Sequence, residues 1–122
     1  MEEAKPEDIR PRTFRFALQI IALVEKLPNT ISATTIGKQL VRSGTSIGAN
    51  VEEATAAHSK SDFIYRMNIS LREARETFFW LRLLDASNML PSADLTGVVK
   101  EADEITRILG AIVSRARGKR KT

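Results

Sequence analysis

Two stretches of this chain repeat apolar residues at alternating steps of three and four. The first runs Ile64, Met67, Leu71, Ala74, Phe78, Leu81, and the second Leu95, Val98, Ala102, Ile105, Leu109, Ile112. That spacing keeps every apolar side chain on one narrow seam of a helix, and such a seam is covered by neighbouring helices crossing at a shallow angle, as in left-handed bundles. No pair of alternating segments suggests strands, and no internal repeat is present. Ser59 or Ser61 is placed to cap the start of the third helix, and Ser92, just after Pro91, the start of the fourth. Asp62/Arg66 and Arg72/Glu76 have the spacing of weak surface ion pairs.

Two further helices precede these. Residues from about 11 or 12 to Leu27 carry one apolar stripe of Phe14, Ala17, Leu18, Ile21 and Val24 and a second of Phe16, Ile20, Leu23 and Leu27, with Pro28-Asn29 as the stop. A helix apolar on most of its circumference needs cover on more than one side, and in a chain of 122 residues a second subunit is the natural cover. The segment from Ala33 to His58 has poor helix formers in Thr34, Thr35, Gly37, Gly44, Thr45 and Gly48. Yet Ile36, Leu40, Ile47, Val51 and Ala54 keep a helical repeat, so the segment reads as a helix, with a distortion expected near Gly44. The expected architecture is all-α, an antiparallel up-and-down four-helix bundle over residues 12–114. A flexible N-terminal arm (residues 1–11) and a basic C-terminal tail (residues 115–122) flank it.

Composition then removes whole classes of chemistry. With no cysteine and one histidine, thiolate metal sites, disulfides and two-histidine mechanisms are excluded. A di-metal carboxylate bundle needs Glu-x-x-His motifs on two helices, but His58 stands five after Glu53 and six after Glu52. No metal or other cofactor is expected, and His58 reads as a polar residue at the end of the second helix. Gly37, Gly44 and Gly48 do not form a phosphate loop, and Ser43 and Ser46 lack a base partner. The chain is therefore read as non-enzymatic. The longest apolar run, Phe16–Val24, is nine residues broken by Gln19, too short to span a bilayer. The opening Met1–Asp8 is mostly acidic and unlike a signal peptide, so the expected compartment is the cytoplasm, without membrane association.

Charge is unevenly spread. The net charge is +4, but Arg115, Arg117, Lys119, Arg120 and Lys121 supply five of the nineteen cations, leaving residues 1–114 with fourteen positive and fifteen negative charges. Such a tail attracts polyanions; a solvated, frayed end would have the same composition. In the third helix Arg66, Arg72, Arg75 and Arg82 are interspersed with Tyr65, Phe79 and Trp80, and arginine beside aromatics can hold phosphates and stack on bases. Arg42, Ser46, Asn50 and Glu53 follow steps of four, four and three along one face of the second helix, and the third offers Glu73 and Glu76. These six read as a structural polar network, with a ligand-binding patch as the alternative.

Lys38–Ala54, KQLVRSGTSIGANVEEA, resembles the signature segment of the 23S rRNA intervening-sequence proteins, a family loosely labelled as ribosomal. Ser59–Phe63 and Leu71–Thr77, followed by Trp80-Leu81, are similar to its second block, and the resemblance spans roughly residues 12–114. It implies a small bacterial protein, an antiparallel four-helix bundle and a ring-like homopentamer. The same fold family includes the accessory variability determinant of diversity-generating retroelements, a basic pentamer that binds nucleic acid and works with a reverse transcriptase. The family has no catalytic residues to carry over; Arg42, Ser46, Asn50 and Glu53 match its motif as fold- or interface-defining positions. The nearly neutral body departs from the strongly basic retroelement proteins. The leading expectation is a homo-oligomeric bundle that binds RNA or DNA through phosphate contacts. The alternative is a scaffold for a protein partner such as a reverse transcriptase.

Overall fold

The computed structural model describes residues 6–118, which form α1 (Pro6–Val24), α2 (Ile31–Thr55), α3 (Lys60–Ala86) and α4 (Ser92–Ala116). Each helix packs on its chain neighbours, and α1 also packs on α4, closing a four-membered cycle. Side-chain bonds fix the directions. Arg10 near the start of α1 meets Glu52 at the end of α2, Ser70 of α3 bonds to the Ile47 carbonyl of α2, and Arg12 of α1 meets Glu101 and Glu104 of α4. With Thr77–Ser43 between α3 and α2, and Lys26, just after α1, on Asp94 at the start of α4, these pairs place α2 antiparallel to α1 and α3, and α4 antiparallel to α1. The expected all-α up-and-down bundle is the fold observed. Both predicted seams line the core, with Met67, Leu81, Leu95, Ile105 and Leu109 fully buried beside Phe16, Ile20 and Leu40, while Ile64 and Phe78 of the first seam are only partly buried.

Several boundaries differ from the sequence reading. Helix α1 begins about a turn before Pro11, so residues 6–10 are helix rather than arm. Ile9 is buried and Arg10 is tied to Glu52, and these contacts hold a turn that proline alone would discourage. At the other end α1 stops at Val24. The amides of Lys26 and Leu27 bond to Leu23 and Val24, three residues back, so the chain tightens into a turn before Pro28. Ser92 does not cap α4: Pro91 is the cap residue, its carbonyl accepting from the Asp94 amide, and no side-chain cap bond forms. Helix α4 runs through Arg115 to Ala116, beyond the expected end at 114. Ser59 does cap α3, accepting from the Asp62 amide at 3.0 Å, and Asp62 meets Arg66 at 3.8 Å. Arg72 and Glu76 form no pair, because Glu76 is engaged elsewhere. His58 lies exposed in the α2–α3 connection.

Helix α2 is continuous through Gly44; the expected distortion is absent. Gly37, Gly44 and Gly48 all face α1. A Cβ on Gly44 would lie 3.0 Å from Ile20 Cγ1, one on Gly37 3.1 Å from Leu27 Cδ1, and one on Gly48 3.4 Å from the Thr13 carbonyl oxygen. Gly37 and Gly44 thus allow a close approach of α1 and its turn, and the packing they permit outweighs their propensity cost of about 1 kcal/mol each. On its other flank α2 meets α3 through buried hydroxyls. Thr77 donates to Ser43 at 2.9 Å, Ser43 bonds to the Gln39 carbonyl, and Ser70 donates to the Ile47 carbonyl at 2.8 Å.

These contacts separate the glycines by function. Gly44→Val should destabilise the fold by about 1–3 kcal/mol or more, because Ile20 is wholly buried and has nowhere to move. At Gly97 and Gly110 in α4, a Cβ would meet nothing within 4 Å. Their replacement by alanine should stabilise by about 0.5–1 kcal/mol each. Urea denaturation of the three variants measures both signs.

Candidate functional site

The polar set expected on α2 separates into two groups. Arg42 reaches across to α3, bonding to Glu73 at 3.2 Å and closely to Glu76, with Gln39 accepting from its Nε. Glu76 also accepts from the Trp80 indole at 3.0 Å. Ser46 and Asn50 instead bond to backbone of their own helix, at the carbonyls of Arg42 and Ser46, and exposed Glu53 joins no ion pair among the described residues. The network is therefore Arg42, Glu73, Glu76 and Trp80. It is a surface clasp: the Arg42 side chain is 47% exposed and Glu76 37%. The indole and the guanidinium hold the Glu76 carboxyl below the ordinary 4.5; the same carboxylates raise Arg42.

A stronger clasp joins α1 to α4, outside the polar set that the sequence pattern brings forward. Arg12 donates to Glu101 through Nε at 2.7 Å and Nη2 at 2.9 Å, and to Glu104 at 2.6 Å. These three side chains are less exposed, at 29%, 23% and 43%, and their bonds raise the Arg12 pKa. The bidentate geometry locks the two helices together. The signal in the sequence is faint: Glu101 and Glu104 sit three apart on one face, but nothing local names an arginine some ninety residues away as their partner.

The α3 arginines are also sorted by the fold. Arg10, Arg12, Lys26, Arg42, Arg66 and Arg107 are engaged in ion pairs. Arg72, Arg75 and Arg82 form no ion pair among the described residues and are exposed. Arg75 and Arg82 are seven apart, two helical turns, and Arg72 lies beside them, so the three share the outer face of α3. Exposed Phe79 stands among them, held edge-to-face against Trp80 at 5.1 Å, and the Arg82 guanidinium lies over the Phe78 ring at 5.8 Å. Arg66, by contrast, is committed to Asp62 one turn earlier. Of the expected tail, Arg115 lies in the last turn of α4 and Arg117 is its exposed C-cap; Lys119, Arg120 and Lys121 lie outside the described residues.

Elsewhere the surface offers little chemistry. An open groove of about 650 Å³ between the α1–α2 turn and α2 is lined by Val24, Leu27, Pro28, Gly37 and Val41, with Arg42 already committed to its carboxylates. Among the described residues, no group of three or more His, Asp or Glu side chains could hold a metal ion, and no helix is long and apolar enough to cross a membrane.

The family model of the 23S rRNA-intervening sequence proteins matches residues 7–111. The chain belongs to that family. It is also similar to the crystal structure of a protein of unknown function from the S23 ribosomal protein family of Bacteroides thetaiotaomicron. The two are 36% identical, with a TM-score of 0.83, over 91% of this chain and 99% of that one. No curated protein matches the chain. The family match covers α2, α3 and their clasp entirely, and it ends inside α4 before the basic segment.

The two clasps should differ in weight. Arg12→Ala strands two partly buried carboxylates and should cost about 2–3 kcal/mol. Arg42→Ala removes an exposed pair and should cost within about 1 kcal/mol, less than partial burial of Arg42 would have implied. Chemical denaturation at neutral pH distinguishes them. Because the Glu76 carboxyl is lowered in the folded state, its stabilisation is present above 4.5 and lost as pH falls toward the lower native value. Melting between neutral and acidic pH should show a shallower acid loss for Glu76→Gln than for the wild-type chain.

Proposed function

We propose that this member of the family is a non-enzymatic, cytoplasmic, homo-oligomeric bundle that binds RNA or DNA through phosphate contacts. The observation that carries the reading is the outer face of α3. Three arginines there, Arg72, Arg75 and Arg82, are exposed and bound to no carboxylate, while most other described arginines are spent on ion pairs. Guanidinium groups on one face that no carboxylate holds bind phosphate by releasing counterions and read no base edges. The basic C-terminal residues Arg117, Lys119, Arg120 and Lys121 add further positive charge.

Self-association is the second part of the reading. Helix α1 buries Phe16, Ile20 and Leu23 but leaves Phe14 65%, Leu18 53% and Ile21 42% exposed. One of its two predicted stripes is therefore covered within the chain and the other is not. A second copy on this face, in the five-membered ring that the family resemblance implies, would supply the missing cover. Repetition of the α3 arginines around such a ring multiplies weak contacts into avidity.

Fluorescence anisotropy with labelled RNA and DNA across a salt series tests the binding. Affinity should fall steeply with salt and vary little with sequence. The triple change Arg72→Glu, Arg75→Glu, Arg82→Glu should weaken it at low salt by about tenfold or more. No binding by the intact protein at low salt overturns the reading in favour of a protein scaffold, of the kind a reverse transcriptase would need. Sedimentation of a Phe14→Asp, Leu18→Asp variant should show monomer where the wild-type chain shows an assembly.

A further inference from the structure

The outer face of α3 carries more than charge. Tyr65, Arg72 and Phe79 are successive at seven-residue intervals, so they lie on one line along the helix, each about 10 Å from the next. Arg75 and Arg82, also seven apart, form a parallel line beside it. Both aromatic residues are open to solvent, Tyr65 60% and Phe79 51% exposed. Each is braced from one side: the Arg66 guanidinium lies over the Tyr65 ring at 5.7 Å, and Trp80 meets the Phe79 ring edge-to-face at 5.1 Å. Rings that are exposed yet held in place are prepared to stack.

We propose that this face is a binding track for single-stranded nucleic acid, with Tyr65 and Phe79 stacking bases, Arg72 and Arg75 holding the phosphates between them and Arg82 a phosphate beyond Phe79. The inference rests on the phosphate-binding function proposed above and names its substrate class. Only a single strand offers base faces to an aromatic ring; in a duplex they are covered by neighbouring bases. Helix α3 is covered on one side by α2, through Ser70, Glu73 and Thr77, and on the other by α4. What stays outside is a strip about one residue row wide on either side of the aromatic line, which fits one strand laid along it. The pairing of stacking with backbone contact requires no particular base, so the track accepts RNA and DNA strands alike.

The experiment compares oligouridine and oligodeoxythymidine with a random-sequence duplex of equal length, by anisotropy with the full chain at low salt. Single strands should bind about tenfold more tightly than the duplex. Phe79→Ala should weaken single-strand binding about fivefold or more and leave duplex binding unchanged, while Phe79→Tyr restores it. Phe79 is half exposed, so the melting temperature and the sedimentation coefficient of the alanine variant should match those of the wild-type chain. Equal affinity for strand and duplex, or an alanine variant that binds as before, overturns the track while leaving phosphate binding intact. A change of assembly size in Phe79→Ala overturns it by making Phe79 an interface residue. Absence of binding to every probe overturns the underlying function as well.

Discussion

Ile20 of α1 rests on the bare backbone of α2 at Gly44, and the geometry of the bundle follows from that contact. Three of its atoms lie within 3.0–3.3 Å of where a Cβ would stand. Leu27 and Val24 do the same at Gly37, at 3.1 and 3.3 Å, so at these two glycines α1 and its turn are seated on α2 at closer range than ordinary side chains permit. With α1 seated there, its rotation is fixed. Phe16, Ile20 and Leu23 turn inward, and Phe14, Leu18 and Ile21 of the other stripe are left facing water. A packing device within the chain thereby leaves an apolar stripe uncovered by the chain itself.

Electrostatics divides the arginines into two populations. Arg12 is held in a bidentate clasp with Glu101 and by Glu104, and Arg42 bridges Glu73 and Glu76 from α2 to α3. Such pairs fix helix register, and their partial desolvation gives the Arg12 clasp more weight than the exposed Arg42 one. Arg72, Arg75 and Arg82 occupy the one α3 face that no neighbouring helix covers. They form no ion pair among the described residues, and the function proposed above assigns a polyanion to them. A nearly neutral body is compatible with such a face, because what a phosphate chain meets is local potential and not net charge.

The helical class and the antiparallel bundle are legible because the apolar seams of α3 and α4 repeat at helical steps with little interruption. Helix α2 is readable only against its own propensities: its glycines and threonines argue for loop, and their retention makes sense once α1 and the hydroxyls of Ser70 and Thr77 are seen beside them. The first turn of α1 is hidden because Pro11 is a strong local signal, whereas the burial of Ile9 that overrides it is tertiary. Ser92 has the residue type of a cap, yet the chain leaves Pro91 in that place. Within the polar set, Arg42, Glu73 and Glu76 come together as expected, while Ser46 and Asn50 turn back to their own helix.

By itself the sequence determined that the chain makes four helices, which seams meet in the core, and that thiolate and paired-histidine chemistry is absent. Periodicity and residue inventory are local properties, and they survive any arrangement of the parts. The tertiary structure decided which of two equally apolar stripes on α1 is buried, which carboxylates claim Arg12 and Arg42, and that Arg72, Arg75 and Arg82 form no ion pair among the described residues. Those outcomes depend on contacts between residues some thirty to ninety positions apart. Spacing along one helix says where a side chain points from its own axis, but not which helix stands opposite; for Arg72, Arg75 and Arg82 the position of α2 and α4 on either flank is what leaves their face open.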